Sequence, residues 1–166
     1  GLEAVGQAAR AIAAGEADLV LAGGVEGMSR APYVLGKAGV PLARDQHLED
    51  TTLGWRFVNP AMRERHGVDS MTQTAEYLAR EQNITRADQD ELAVRSHQRA
   101  VTAHDAGRFA EELLPVTIPG KRGKPDTVVD RDEHPRADIS VDALAALRAV
   151  RLKVDAEATV TAGNAS

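Results

Sequence analysis

Leu19-Val20-Leu21-Ala22 is a short all-apolar run closed by Gly23-Gly24. That pattern suits a strand buried on both faces, as in a parallel sheet. Upstream, Leu2, Val5, Ala9 and Ile12 are spaced 3, 4 and 3 apart, which is one face of a helix. Ala4, Ala8, Ala11 and Ala13 are small enough for that helix to be covered on most sides, and Gly15 is a suitable C-terminal stop. Helix followed by buried strand is a fragment of an α/β layer. The chain enters helical periodicity directly at Gly1 and stops at Ser166 inside a Gly- and Ala-containing stretch, so both ends read as cuts through a larger fold. Each large apolar side chain left in water forfeits roughly 1.5–3 kcal/mol of burial. Residues 1–28 are therefore expected to be either disordered in the isolated chain or buried against another chain.

From this helix–strand piece the reading extends outward. Residues 30–67, with Pro32, Pro41, Pro60 and scattered glycines, read as extended loops with a short helix. Irregular stretches of that length are usually functional or buried against something. Regular structure returns at Ser70 and Gln73, a capping-box pattern, with Met71, Ala75 and Leu78 as an apolar face. Thr85 and Asp88 mark a second helix start. Leu92, Ser96, Ala100 and Ala103 form a narrow stripe on that long polar helix, Glu91 and Arg95 a surface i,i+4 pair, and Gly107 its end. Val116-Thr117-Ile118 and Thr127-Val128-Val129 read as two strands around the basic loop Gly120-Lys121-Arg122-Gly123-Lys124. Val141, Leu144 and Leu147 read as a last helix capped by Ser140. The region from about residue 29 onward is an α+β insertion on an α/β core.

Bulk composition narrows the function. Apolar residues make up 43% of the 166, enough for a packed core, but only 3% are aromatic, so Leu, Ile, Val and Ala must build it. A net charge of -5 argues against non-specific nucleic-acid binding, which neutralises phosphates with Lys and Arg. A small phosphorylated ligand needs only a local basic cluster. With no cysteine, disulfides, Cys-ligated zinc and thiolate nucleophiles are impossible within the chain. No apolar run approaches the ~20 residues of a membrane span, and no signal peptide opens the chain, so a soluble cytoplasmic protein is expected.

The residues by themselves name no reaction. No histidine pair has zinc-helix spacing, and neither His47 beside Glu49 and Asp50 nor Asp132-Glu133-His134 rises above a solvated polar loop, so no metal is expected. No serine sits in a Gly-x-Ser-x-Gly elbow. Pro125 follows Gly123-Lys124 where a phosphate loop needs Ser or Thr. Lys121, Arg122 and Lys124, with Arg131 and Arg136 beyond, could meet phosphates, although a charged turn is more often simply solvated.

Several separate motifs carry a resemblance that covers the whole chain. Thr159-Val160-Thr161-Ala162-Gly163-Asn164-Ala165-Ser166 is similar to the thiolase segment that enters the second half of that fold. Leu21-Ala22-Gly23-Gly24-Val25-Glu26-Gly27-Met28-Ser29 resembles the thiolase strand and turn after the nucleophile helix. Ala87-Asp88-Gln89-Asp90 and Ser96-His97-Gln98-Arg99-Ala100 resemble a helix of its loop domain, and Asp132-Glu133 and Arg136 fall in the same order. Gly54-Trp55-Arg56-Phe57-Val58-Asn59-Pro60 and Gly67-Val68-Asp69-Ser70-Met71 look like the branch that cleaves 3-oxoadipyl-CoA in aromatic breakdown.

The resemblance implies a thiolase-like α/β fold. Residues 1–28 would be a helix and buried strand of the N-terminal core. Residues 29–166 would be the α+β loop domain that covers coenzyme A, followed by the return to the core. It implies an acyltransferase that cleaves 3-oxoacyl-CoA with CoA, or condenses acyl-CoAs. That chemistry runs through a nucleophilic Cys, an activating His and a second Cys. In the family these lie before the position of Gly1 and after that of Ser166, so the chain would hold no catalytic residue and no turnover of its own. Coenzyme A would be a substrate, met by Met71, Arg136, Ala162 and Ser166. Arg136 would lie near the adenine and phosphate end, Met71 on the pantetheine arm, and Ala162 and Ser166 along that arm near the thioester. A homo-oligomer, dimer or tetramer, is implied for the complete protein. Ser70, Ala143 and Ala149 depart from the His, Ser and Pro common at those positions. The competing class is a non-catalytic CoA-binding or partner-dependent interaction module.

Overall fold

The computed structural model describes residues 1–165 as two compact units, Gly1–Val68 and a second that begins at Asp69. In the first unit, helix α1 spans Leu2–Ala13 and buries none of its residues. Glu3 accepts from Gln7 and pairs with Arg10 at 2.8 Å, one turn and two turns along the same face. The backbone then turns through Gly15, which takes the left-handed φ of 73°. Residues 19–22 do not form the expected strand: Leu19 and Leu21 are 85% and 95% exposed. A parallel strand exists only by its hydrogen bonds to neighbours, and no strand among the described residues pairs with this run.

Residues 30–67 hold more structure than their prolines suggest. After a single 3-10 turn at Met28–Arg30, strand β1 (Tyr33–Leu35) pairs antiparallel with β2 (Leu48–Asp50), Val34 opposite Glu49. Helix α2 (Pro60–His66) starts with proline at its first turn, where no amide is required, and Asn59 Oδ1 accepts from the amides of Ala61 and Met62. Three-residue strands with half-exposed residues leave too little periodicity to read.

The second unit contains α3 (Met71–Glu81), α4 (Arg86–Asp105), the antiparallel pair β3 (Val116–Ile118) and β4 (Thr127–Val129), and α5 (Val141–Ala145). The caps are those the sequence indicates. Ser70 Oγ accepts from the Gln73 amide, but the Gln73 side chain donates to Tyr77 instead of reaching back, so only half the box closes. At Thr85 and Asp88 both halves close, and donation from the Thr85 hydroxyl, then from its amide, holds the Asp88 carboxyl below its ordinary pKa. Ser140 Oγ caps α5 through the Ala143 amide. The strands 116–118 and 127–129 pair as expected, with Arg122 and Gly123 at left-handed φ values of 55° and 77° in the connecting loop.

The buried faces differ from the apolar stripes read in the sequence. On α3 the buried residues are Glu76 and Ala79, while Met71 and Leu78 are exposed. On α4 they are Asp90, Ala93 and Val94, with Leu92 exposed. The i,i+4 ion pair of α4 is Arg86–Asp90 at 2.8 Å, and Glu91 and Arg95 form none among the described residues. Ala93 and Val94 pack against Leu144 of α5, with Ile139 alongside, and this is the core of the unit. Carboxylates occupy the covered faces because donors meet them there: the Thr159 and Val160 amides at Glu76, and the Arg86 and Asn164 side chains at Asp90.

The exposure of α1 and of Leu19–Leu21 gives the first expected outcome. Limited proteolysis of the purified 166-residue chain should cut within residues 1–28 well before α4 and α5. A monomer whose first 28 residues resist cleavage as well as α4 would contradict this. In the second unit, Thr85→Ala should cost roughly 0.5–2 kcal/mol of stability through loss of the cap, read from denaturant melts.

Candidate functional site

The second unit contains a half-open cavity of about 510 Å³. Its walls come from four places: His97 of α4, the segment Glu133–Ile139, Ala143 and Leu144 of α5 with Leu147 just beyond, and the turn at Ala162-Gly163. Each wall has a local reason. Burial of Ala93 and Val94 on α4 turns His97 toward the 133–139 segment, one turn further along. There the His97 and His134 rings stack with centroids 5.7 Å apart. His97 Nδ1 accepts the backbone N–H of Arg136 at 3.2 Å, which pins the segment to α4. That bond requires a lone pair on Nδ1 and so places the neutral ring's proton on Nε2.

The α5 wall is tied to the start of α4. Arg86 donates to Asp90 through Nε at 2.8 Å and to the carbonyls of Leu144 and Leu147 at 2.6 and 3.1 Å. One guanidinium thus caps the C-terminal end of α5 and neutralises a buried carboxylate. At Gly163 a Cβ would press on the Leu144 and Leu147 methyl groups, so a larger residue in the turn would require those side chains to shift.

The turn itself is held from below. Glu76, 1% exposed, accepts from the Thr159 and Val160 amides at 2.9–3.0 Å and from Thr159 Oγ1 at 2.9 Å. Asp90, 2% exposed, accepts from Asn164 Nδ2 at 2.9 Å, while Asn164 Oδ1 accepts the Thr161 amide at 2.7 Å. Val150 donates to Val160, and an isolated antiparallel bridge joins Ala149 to Thr161.

Of the site residues expected from the sequence, Arg136 and Ala162 line this one cavity. The Arg136 side chain is exposed at the cavity wall and makes no ion pair among the described residues. Met71 does not line it; it opens α3 and is 90% exposed. Ser166 lies outside the described residues. The basic loop residues Lys121, Arg122 and Lys124 are exposed and away from the cavity wall, and Arg131 pairs with Asp105 at 3.1 Å. In the first unit, His47 Nε2 meets Glu49 at 2.6 Å; the Asp45 carbonyl, then Glu49, hold its pKa above the ordinary value.

The cavity brings together a guanidinium, two imidazoles, two carboxylates (Glu133 and Asp138) and the apolar side chains of Ile139, Leu144 and Leu147. Such a lining suits a ligand with an anionic or aromatic end and an apolar length. It offers binding groups, without a nucleophile beside a base.

A family model described as the N-terminal domain of thiolase matches residues 1–166. The chain belongs to the thiolase family. The beta-ketoadipyl-CoA thiolase of Pseudomonas aeruginosa is 57% identical over 166 residues, covering all of this chain and 40% of the relative. The 3-oxoadipyl-CoA/3-oxo-5,6-dehydrosuberyl-CoA thiolase of Escherichia coli is 49% identical, with the same coverage. A crystal structure of the acetyl-CoA acetyltransferase of Bacillus anthracis superposes with a TM-score of 0.77 at 37% identity, over 99% of this chain and 39% of that one. The chain thus spans about two fifths of the length of the thiolases it matches. No helix among the described residues is long and apolar enough to cross a membrane.

Within this thiolase piece, the residues that sequence reasoning missed are Glu76, Asp90, Arg86 and Asn164. Arg86 and Asp90 carry a signal in retrospect, an i,i+4 pair beside the cap at Thr85. Glu76 carries none, because an acidic residue on a helix reads as surface.

A further ion pair, between Arg80 of α3 and Asp155, steadies the approach to the turn. Its hydrogen bond holds the Asp155 carboxyl below the ordinary carboxylate value. A depressed folded-state pKa contributes stability that is complete above the unfolded value and is lost as pH falls through the folded one. Solvent screens this pair, so the effect is small. Arg80→Met should lower the melting temperature slightly at neutral pH, and the gap from the parent should close on acidification below the carboxylate range. A gap that widens in acid would contradict this assignment.

Proposed function

We propose that this chain is the coenzyme-A-covering part of a thiolase, an acyl-CoA C-acyltransferase that cleaves 3-oxoacyl-CoA with CoA or condenses acyl-CoAs. Its substrate class is 3-oxoadipyl-CoA. The observation that carries this reading is the match of the whole chain, at 57% and 49% identity, to proteins named for that activity. The shared cavity of Arg136 and Ala162 supports coenzyme A as the ligand. In this reading residues 1–28 belong to the N-terminal core and residues 29–166 to the loop domain and its return. Arg136 stacks on the adenine or meets a phosphate, Met71 packs along the pantetheine arm, and Ala162 and Ser166 line that arm toward the thioester. The complete protein is a cytoplasmic homo-oligomer, with no covalently bound cofactor.

Acyl transfer through a thiolate requires a cysteine, and these 166 residues contain none. The purified chain should therefore show no CoA-dependent cleavage of a 3-oxoacyl-CoA; measurable turnover would overturn the assignment of its role. In the complete enzyme, Arg136→Ala should raise the KM for CoA with little change in kcat. A charge-assisted contact is worth roughly 1.5–3 kcal/mol, or about ten- to a hundredfold in KM. An unchanged KM would return Arg136 to an ordinary surface charge.

A further inference from the structure

Glu76 and Asp90 are buried carboxylates on two different helices, and both face the same short turn. Glu76 receives every donor that Thr159 offers, two of its hydrogen bonds coming from one bifurcated amide, and the Val160 amide as well. Asp90 holds Asn164, which in turn fixes the Thr161 amide and donates to the Thr159 carbonyl at 3.3 Å. The turn between these grips is Ala162-Gly163, one wall of the cavity. A fully apolar support would have served packing alone, and burying carboxylates is costly unless every lone pair is met. Here the acceptors define a position: Glu76 accepts from two consecutive backbone amides and Asp90 from the Asn164 side-chain amide, so the turn is held at both ends.

We propose that Glu76, with Asp90, is a positioning residue for coenzyme A binding: it holds the Thr159–Asn164 turn as the preformed wall against which the CoA arm rests. The inference rests on the reading of the cavity as the CoA site. Neither carboxylate lines the cavity, so neither touches the ligand. Their effect is on the fraction of molecules whose wall is in place, and an apparent dissociation constant rises in inverse proportion to that fraction.

The test uses the complete enzyme with Glu76→Gln, which keeps side-chain volume but replaces one acceptor oxygen with an amide NH2 donor facing the Thr159 donors. Amide hydrogen exchange across residues 159–163 is read beside KM for CoA and kcat. The expected result is faster exchange confined to the turn, a KM for CoA raised roughly tenfold as the competent fraction falls to about a tenth, and kcat within about twofold. If exchange in the turn is unchanged, the positioning role is wrong. If exchange rises and KM stays put while Arg136→Ala still raises KM, the clamp does not serve CoA, and the cavity assignment survives without it. If neither Glu76→Gln nor Arg136→Ala moves KM, the cavity assignment fails and the inference falls with it. Should Glu76→Gln not fold, Thr159→Val decides by the same readings. It removes the hydroxyl that donates to Glu76 and accepts from Gln89, and leaves both backbone amides in place.

Discussion

A carboxylate withdrawn from water must be met by donors on nearly every lone pair, or its desolvation is uncompensated. Glu76 is in that condition on α3, and Thr159 and Val160 supply the donors from more than eighty positions further along the chain. This interaction decides where the return segment lies. Once Thr159 and Val160 are seated, Thr161 is fully buried beside Ala149 and Asn164 reaches Asp90. Asp90 in turn orients Arg86, and Arg86 holds the end of α5. The sequence of contacts runs from α3 through the turn to α4 and α5, and it closes around the cavity.

The apolar core of the second unit is small, and the polar network does much of the locating. Ala93, Val94 and Leu144 exclude water from one helix crossing. They leave the loops free to slide, because dispersion contacts are non-directional. Hydrogen bonds to buried carboxylates are directional and roughly twice as strong as neutral ones. They are suited to fixing loops, which have no ladder or helix of their own. The cavity wall at Ala162-Gly163 is a loop of this kind, and so is the segment at Arg136, which His97 holds by its backbone. A site assembled from loops on a rigid helical base can shape a long, flexible ligand without contributing any reacting group.

Legibility in the sequence followed the range of the interaction. Ser70, Thr85 and Ser140 could be read as caps because the amides they satisfy lie three residues away. The strands 116–118 and 127–129 were readable from β-branched runs around a Gly-rich basic turn, and they pair antiparallel. The stripes on α3 and α4 were misread because hydrophobic periodicity cannot register a buried Glu or Asp. The pattern pointed to Leu78 and Leu92, which are exposed, and passed over Glu76 and Asp90. The strand expected at Leu19–Ala22 did not form, since its composition records an environment of neighbours and cannot create one.

What the sequence by itself determined is the family, the capped starts of α3, α4 and α5, and the absence of any thiolate. Motifs in register, local caps and a missing residue type are all properties of the chain as written. The grouping of Arg136, His97 and Ala162 around one cavity was decided by tertiary structure alone, as was the gripping of a single turn by Glu76 and Asp90. These residues lie far apart in sequence, and no local propensity relates them. Only the folded chain, in which leaving a buried carboxylate or a buried amide without its partner costs free energy, selects which acceptor meets which donor.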